Sequence, residues 1–276
     1  MPEPGESPAR ALRERGLRPR KRLGQNFLRD RAILDRIVAA ADVGPDDAVL
    51  EIGSGTGSLT AALAARAGRV VTVELDDNLF ALLEAEFASM PNVELIHADA
   101  LSLDPCSVFA GAYKLVANIP YYITGPIVRH FLESRCPPGV MVLMVQREVG
   151  LRMTAKPGDL SLLGVSVQWY AEPEIMTRVP AGAFYPPPNV DSVVVRLRPR
   201  HLPERARLTE PFFEVARAGF STRRKQLVNA ISRGLSIDRD RAIRLLTEAG
   251  IEPSRRAETL SLDEWERLAG VWVRMG

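Results

Sequence analysis

The stretch LEIGSGTGSLT, residues 50–60, decides the fold. It ends the apolar run "AVLEIG" (48–53), places Gly53, Gly55 and Gly57 at a turn, and enters the helical pattern "SLTAALAARA" (58–67). Glycines let the backbone approach a ligand closely, and the start of a helix presents N–H groups to polar or anionic groups. A strand, a glycine turn and a helix in that order suit the opening of a nucleotide-binding α/β unit, and also an α/β domain whose strand-end acids merely cap helices.

Working outward, the same alternation continues. "RVVTVE" (69–74), "NVELIHAD" (92–99), "YKLVAN" (113–118) and "VMVLMVQ" (140–146) have strand character. The patterns "NLFALLEAEFASM" (78–90) and "GPIVRHFLES" (125–134) are helical. Continuous apolar strands separated by helices predict a mostly parallel sheet covered on both faces. "GVSVQWYAEPEIMTRV" (164–179) and "DSVVVRLRP" (191–199) follow each other without a long helix and are expected to pair antiparallel at the sheet edge. Beyond Pro199 the pattern is helical only, over 209–219, 222–234, 238–248 and 261–273, punctuated by Pro203, Pro211 and Pro253. The expected organisation is a basic arm and helix (1–41), an α/β domain (42–200) and a small all-α domain (201–276).

Composition narrows the classes. With 276 residues, 46% hydrophobic and 25% charged, the chain is long enough for a buried core, and no apolar run reaches the roughly 20 residues of a membrane span. The N-terminal residues lack a secretory apolar region, and Glu3, Glu6 and the early prolines disfavour an organellar leader. Cys106 and Cys136 fit no metal or redox spacing, and His97, His130 and His201 stand singly, so no metal is expected. The two cysteines are expected reduced and packed, in a cytoplasmic protein. The net charge of +2 conceals segregation. Residues 10–22 carry seven Lys and Arg against Glu14; residues 42–104 carry twelve Asp and Glu against Arg66 and Arg69; residues 196–256 carry fifteen Lys and Arg against seven acids. Basic ends around an acidic centre suit a polyanion held by the ends, and equally suit solvated helix faces.

Candidate binding groups sit at strand ends. Glu74, closing the second strand, can accept both hydroxyls of a ribose. Asp99, in "IHADAL", can accept from an adenine amine. A nicotinamide cofactor wants G-x-G-x-x-G, and the sixth position here is Ser58. Glu51, two residues before Gly53, suits a cationic ligand such as S-adenosylmethionine better than a pyrophosphate. The fourth strand ends in Asn118-Ile119-Pro120-Tyr121. The Asn118 oxygen and the Ile119 carbonyl can receive the hydrogens of an adenine N6 amine, Pro120 fixes that carbonyl, and Tyr121 offers a stacking face. The same residues also suit a rigid turn with buried tyrosines.

The strings "KRLGQNFLRD", "EIGSGTGSLT", "VELD", "ADAL", "NIPYYITGPIV", "MVQREV", "AFYPPPNVDSVVVRL" and "FSTRRKQLVNAI", in this order from Lys21 to Leu268, resemble the KsgA-type (RsmA) ribosomal RNA adenine dimethyltransferases. Erythromycin-resistance rRNA methylases and mitochondrial transcription-factor paralogues are the neighbouring groups. The resemblance implies a Rossmann-like class I methyltransferase domain, its seven-stranded sheet mostly parallel, and dimethylation of two adjacent adenosines near the 3′ end of 16S rRNA in pre-30S particles. The alternatives kept open are a 23S rRNA or DNA adenine substrate, and an assembly checkpoint in which catalysis is secondary. By matching motifs, Gln25, Asn26 and Leu28 would close over S-adenosylmethionine, Gly53 and Gly55 would line its methionine end, and Glu74, Asp99 and Ala100 would hold ribose and adenine. Asn118 would touch cofactor and target, with Pro120, Tyr121 and Phe184 around the base. Arg20, Lys21, Arg22, Arg223, Arg224 and Lys225 would grip RNA phosphates. Monomer is the default state. The pattern departs at Leu160 and Ser161, where a tyrosine-glycine pair is common, and residues 1–16 match no motif and are expected to form a partly disordered basic tail.

Overall fold

A computed structural model describes residues 8–20, 24–119, 123–200, 203–222 and 225–276. The elements run α1 (Pro8–Glu14), β1 (Phe27–Leu28), α2 (Arg31–Ala40), β2 (Ala48–Ile52), α3 (Ser58–Ala64), β3 (Arg69–Glu74), α4 (Asp77–Phe87), β4 (Val93–His97), α5 (Pro105–Val108) and β5 (Lys114–Asn118). There follow α6 (Thr124–Leu132), β6 (Val140–Gln146), α7 (Arg147–Met153), α8 (Leu162–Tyr170), β7 (Ala171–Val179), β8 (Phe184–Tyr185), β9 (Ser192–Pro199), α9 (Thr209–Phe220), α10 (Leu227–Gly234), α11 (Arg239–Glu248) and α12 (Leu262–Met275).

Two compact units form: residues 1–150 with 171–199, and residues 151–170 with 200–276. In the first, seven strands lie in the order β4-β3-β2-β5-β6-β9-β7. The first five are parallel, and β9 pairs antiparallel with both β6 and β7. The apolar run of β6 is buried on both faces, as a central strand of a covered sheet must be. Strand order reverses between β2 and β5, so the C-terminal end of β2, where the glycine turn begins, borders the crevice at that switch point. On one face α2 and α3 bury Ile33, Ile37 and Leu63 against Val49, Val116, Val142 and Val194. Asp30 starts α2 by accepting from the N–H groups of Ala32 and Ile33 at 3.0 and 3.3 Å.

Several local expectations change. Residues 164–170 are helix, not strand. Val165, Val167 and Trp169 alternate as a strand would, yet Val165 and Trp169, four apart, both enter the apolar cluster of the second unit. Leu160 packs there too, and Ser161 accepts from the N–H of Gly164 at 3.2 Å, so the departure at these positions is absorbed as packing and a helix start. Of the expected partly disordered tail, residues 1–7 lie outside the described residues, while Pro8–Glu14 forms α1, with Leu12 buried against Phe27 and Leu79. Finally, Cys106 and Cys136 are not reduced; they are joined in a disulfide with Cα atoms 5.4 Å apart.

The second unit packs α8 to α12 around Phe212, Leu245 and Trp265, and Trp169 stacks on Phe212 at 3.8 Å. α10 begins at Leu227 rather than at 222, because Gln226 is extended and the N–H of Leu227 donates to Arg255 O at 2.7 Å. Segment 151–170, grouped from sequence with the α/β part, belongs to this helical unit. Among the described residues, no helix is long and apolar enough to cross a membrane, and no cluster of His, Cys, Asp or Glu could hold a metal ion.

Candidate active site

The glycine turn shapes the site. Gly57, at φ +79°, starts α3 without a side-chain cap, and a Cβ there would lie 2.7 Å from Phe87 Cε2. Only glycine combines that left-handed backbone with such close approach to α4. At Gly55, φ +60°, a Cβ would meet the ring of Phe27 at 3.1 Å, so the arm and the turn lie in direct contact.

Above the turn opens a cavity of about 1100 Å³, counting its mouth. The arm (Gly24 to Leu28), the turn (Gly53 to Thr56), the ends of β3 and β4 (Glu74, Leu75, Asp99, Ala100) and the end of β5 (Asn118, Ile119) all contribute to its wall. The carboxylate of Glu74 is organised by backbone. Its Oε2 accepts from Gly55 N at 2.9 Å, and its Oε1 accepts from Leu75 N and Asp76 N, each at 2.9 Å. Burial raises the pKa of Glu74 above its ordinary value, and these three N–H groups oppose the rise. Asp99 is exposed and accepts from Leu101 N at 2.9 Å, starting a short turn at Ala100. Asn118 donates through Nδ2 to Asn26 O at 3.4 Å, which makes Oδ1 the acceptor end of its amide.

The lining among described residues holds Glu74 and Asp99 and no Lys, Arg or His. A polyphosphate would find no cationic partner in such a wall. A nucleoside that carries positive charge and no phosphate fits it, with acids for ribose and base and an apolar surface from Leu75, Ile119 and Leu79. S-adenosylmethionine has that chemistry, and Gln25, Asn26, Leu28, Gly53, Gly55, Glu74, Asp99, Ala100 and Asn118 are brought together around the cavity.

Other expected residues stand elsewhere. Glu51 does not line the cavity. It is fully buried in β2, where Oε2 accepts from Thr60 Oγ1 at 2.6 Å and Thr72 Oγ1 at 2.8 Å, and Thr72 in turn bonds Ser54. Phe184 is 2% exposed and sits in the core beside Leu28, its partner across the β1–β8 ladder. Phe184 is not among the residues that line the cavity, although its partner Leu28 is. Gln25 reaches the wall with its amide already engaged, receiving Arg20 N at 2.8 Å and donating to Asp76 Oδ2 at 3.1 Å. Arg20 is no free cation for phosphate, because its Nη1 pairs with Asp76 Oδ2 at 3.0 Å. Lys225 is exposed. Pro120, Tyr121, Lys21, Arg22, Arg223 and Arg224 lie outside the described residues. Sequence reasoning missed Phe27 and Leu75, which complete the wall, and Asp76 behind it. Leu75 and Asp76 do belong to the matched string "VELD", which was the available signal.

Comparison with known proteins agrees with this geometry. Residues 16–270 match the family model for ribosomal RNA adenine dimethylase. A protein of Dehalococcoides mccartyi called ribosomal RNA small subunit methyltransferase A is 48% identical over 263 residues, covering 93% of this chain and 89% of its own. Its namesake from Moorella thermoacetica is 46% identical, covering 95% and 96%. Among solved structures, a dimethyladenosine transferase from Plasmodium falciparum superposes with a TM-score of 0.74 at 28% identity, covering 88% of this chain and 95% of its own. The 23S rRNA methyltransferase ErmE gives 0.71 at 31% identity, covering 89% and 99%. With its glycine turn, strand-end acids and β5 asparagine set around one acidic cavity, the chain belongs to the ribosomal RNA adenine dimethylase family.

Proposed function

We propose that this chain dimethylates the N6 amines of two adjacent adenosines near the 3′ end of 16S rRNA, in precursors of the small ribosomal subunit, with S-adenosylmethionine as donor. The observation that carries the reading is the cavity wall: two carboxylates, no basic side chain among its described residues, and Asn118 at its edge. The donor supplies an electrophilic methyl on a cationic sulfur. The chain supplies position. Glu74 and Asp99 hold the nucleoside part, and Asn118 Oδ1 with the Ile119 carbonyl receives the hydrogens of the adenine amine. An amine so held has its lone pair turned out of the ring and aimed at the methyl, so in-line placement does the work that a strong base would otherwise do. Proton loss follows methyl transfer.

Small-subunit rRNA is favoured over 23S rRNA by the names of the relatives at 46–48% identity, while ErmE, at 31%, keeps the large subunit as the runner-up. RNA would be gripped by the exposed Lys225 with its neighbours Arg223 and Arg224, and by Lys21 and Arg22. The protein would act as a monomer in the cytoplasm, where the subunits assemble.

The test measures labelled methyl transfer into purified 30S particles, 50S particles and plasmid DNA. Transfer confined to 30S particles, appearing as N6,N6-dimethyladenosine by mass spectrometry, is expected. Asn118→Ala should lower the rate by at least about a hundredfold, as loss of a positioning group in a bimolecular transfer does. Full activity in that variant would sink the mechanism.

A further inference from the structure

Asp76 occupies a junction that the reaction above does not use. Its side chain is 2% exposed. One oxygen, Oδ1, accepts from Asn78 N at 3.0 Å and Leu79 N at 3.4 Å, which starts α4. The other, Oδ2, takes the Gln25 amide at 3.1 Å and the Arg20 guanidinium at 3.0 Å. Its own N–H donates to Glu74 Oε1 at 2.9 Å. A cap needs one oxygen, so the second is available for a different task.

We propose that Asp76 is a positioning residue for cofactor binding, holding Arg20 and Gln25 so that Gly24 to Leu28 stand as a wall of the cavity. The assignment rests on the S-adenosylmethionine reading of that cavity. The chemistry of the contact favours it. Gln25 is oriented at both ends, because Arg20 N donates to its Oε1 while its Nε2 donates to Asp76. Arg20 and Gln25 are therefore locked to each other as well as to the carboxylate. Elsewhere the arm is held by the two residue pairs of Phe27 and Leu28 with Tyr185 and Phe184, by Arg29 on the carbonyls of Ala183 and Gly182, and by Asn118 Nδ2 on Asn26 O at 3.4 Å; none of these fixes the Gln25 amide. So short a ladder alone is a weak anchor. The buried carboxylate adds an anchor at Arg20 and Gln25, where the segment that lines the cavity begins.

A structural role in α4 can be separated from this one. Serine is as good a cap as aspartate but has no second oxygen. In Asp76→Ser the helix start is kept and the tie to the arm is cut. Calorimetric titration with S-adenosylhomocysteine, without RNA, should show a Kd raised about tenfold in Asp76→Ser, the scale of losing charge-assisted hydrogen bonds. Arg20→Ala should raise it several-fold, and in the Asp76→Ser background should add almost nothing, since the two act as a unit. Asp76→Asn, which keeps Oδ1 and loses the charge, serves if the serine variant fails to fold, and should give the same direction. At saturating cofactor kcat should stay within about twofold of wild type while KM for the donor rises, because the reacting groups are untouched. Kd values within twofold of wild type in Asp76→Ser and Arg20→Ala, or additive effects of the two, would overturn the assignment. Failure of the wild-type protein to bind S-adenosylhomocysteine at all would instead overturn the cofactor reading.

Discussion

Replacing Glu51 by glutamine should make the protein more stable at alkaline pH while leaving it nearly unchanged in mild acid. Glu51 is fully buried in β2, and burial raises its pKa from 4.5 to about 7; hydrogen bonds from Thr60 and Thr72 pull it down, and the charge of Glu74 pushes it up again. Its Oε1 has no hydrogen-bond partner. The folded protein therefore holds the proton more tightly than the unfolded chain does. Stability from this group is complete below the unfolded value of 4.5 and is lost as pH rises through about 7. At 1.36 kcal/mol per pKa unit, the full loss is about 3 kcal/mol, of which about 2–3 kcal/mol falls between pH 5 and pH 8.5. Glutamine has the shape of the protonated acid and can still accept from both threonines, but it does not titrate. Urea denaturation of both proteins from pH 5 to 8.5 gives the difference, because groups that do not interact with Glu51 cancel. A gap that widens with pH in favour of Glu51→Gln is expected. Parallel profiles, within about 0.5 kcal/mol across the range, would mean that the carboxylate is not paying for its burial and would refute the reasoning.

Gly57→Ala combines a left-handed backbone, φ +79°, with a Cβ 2.7 Å from Phe87 and 3.1 Å from Leu83. The expected cost is about 2–4 kcal/mol by denaturation, from strain and overpacking together; a change below about 0.5 kcal/mol would remove the packing argument for this glycine. Cys106–Cys136 closes 30 residues of chain. Breaking it should cost about 3.6 kcal/mol by the loop-entropy relation. Melting curves with and without dithiothreitol, and of Cys136→Ser, check this, and identical curves in all three would show that the bond does not form in solution.

What could be seen in the sequence was what is local. The turn at Gly53 to Gly57, the acids at the ends of β3 and β4 and Asn118 at the end of β5 each stand a few residues from an apolar run, so periodicity locates them. The antiparallel pairing of β7 with β9 was visible for the same reason. What was hidden depends on partners far along the chain. Nothing near Arg20 announces that Asp76 will take its charge. The motif around Phe184 says nothing of its burial, which depends on Leu28, far earlier in the chain, lying beside it. Trp169 sits in an alternating stretch and became helical because the apolar cluster around Phe212 accepts it at helical spacing. The cysteines met in space although neither lies in a recognisable spacing.

The two-residue ladder between β1 and β8 also sets an order of events during synthesis. Phe27 and Leu28 leave the ribosome early, yet their partners Tyr185 and Phe184 are made only after the parallel strands, and Arg29 waits for a carbonyl 153 positions later, on Gly182. A nascent chain that has just completed β6 already carries the glycine turn, Glu74, Asp99 and Asn118. It still lacks the strand that seats the arm. The donor cavity is thus among the last features of the first unit to close, and a growing chain interrupted before residue 184 would carry the acids of the site without the ladder beside them.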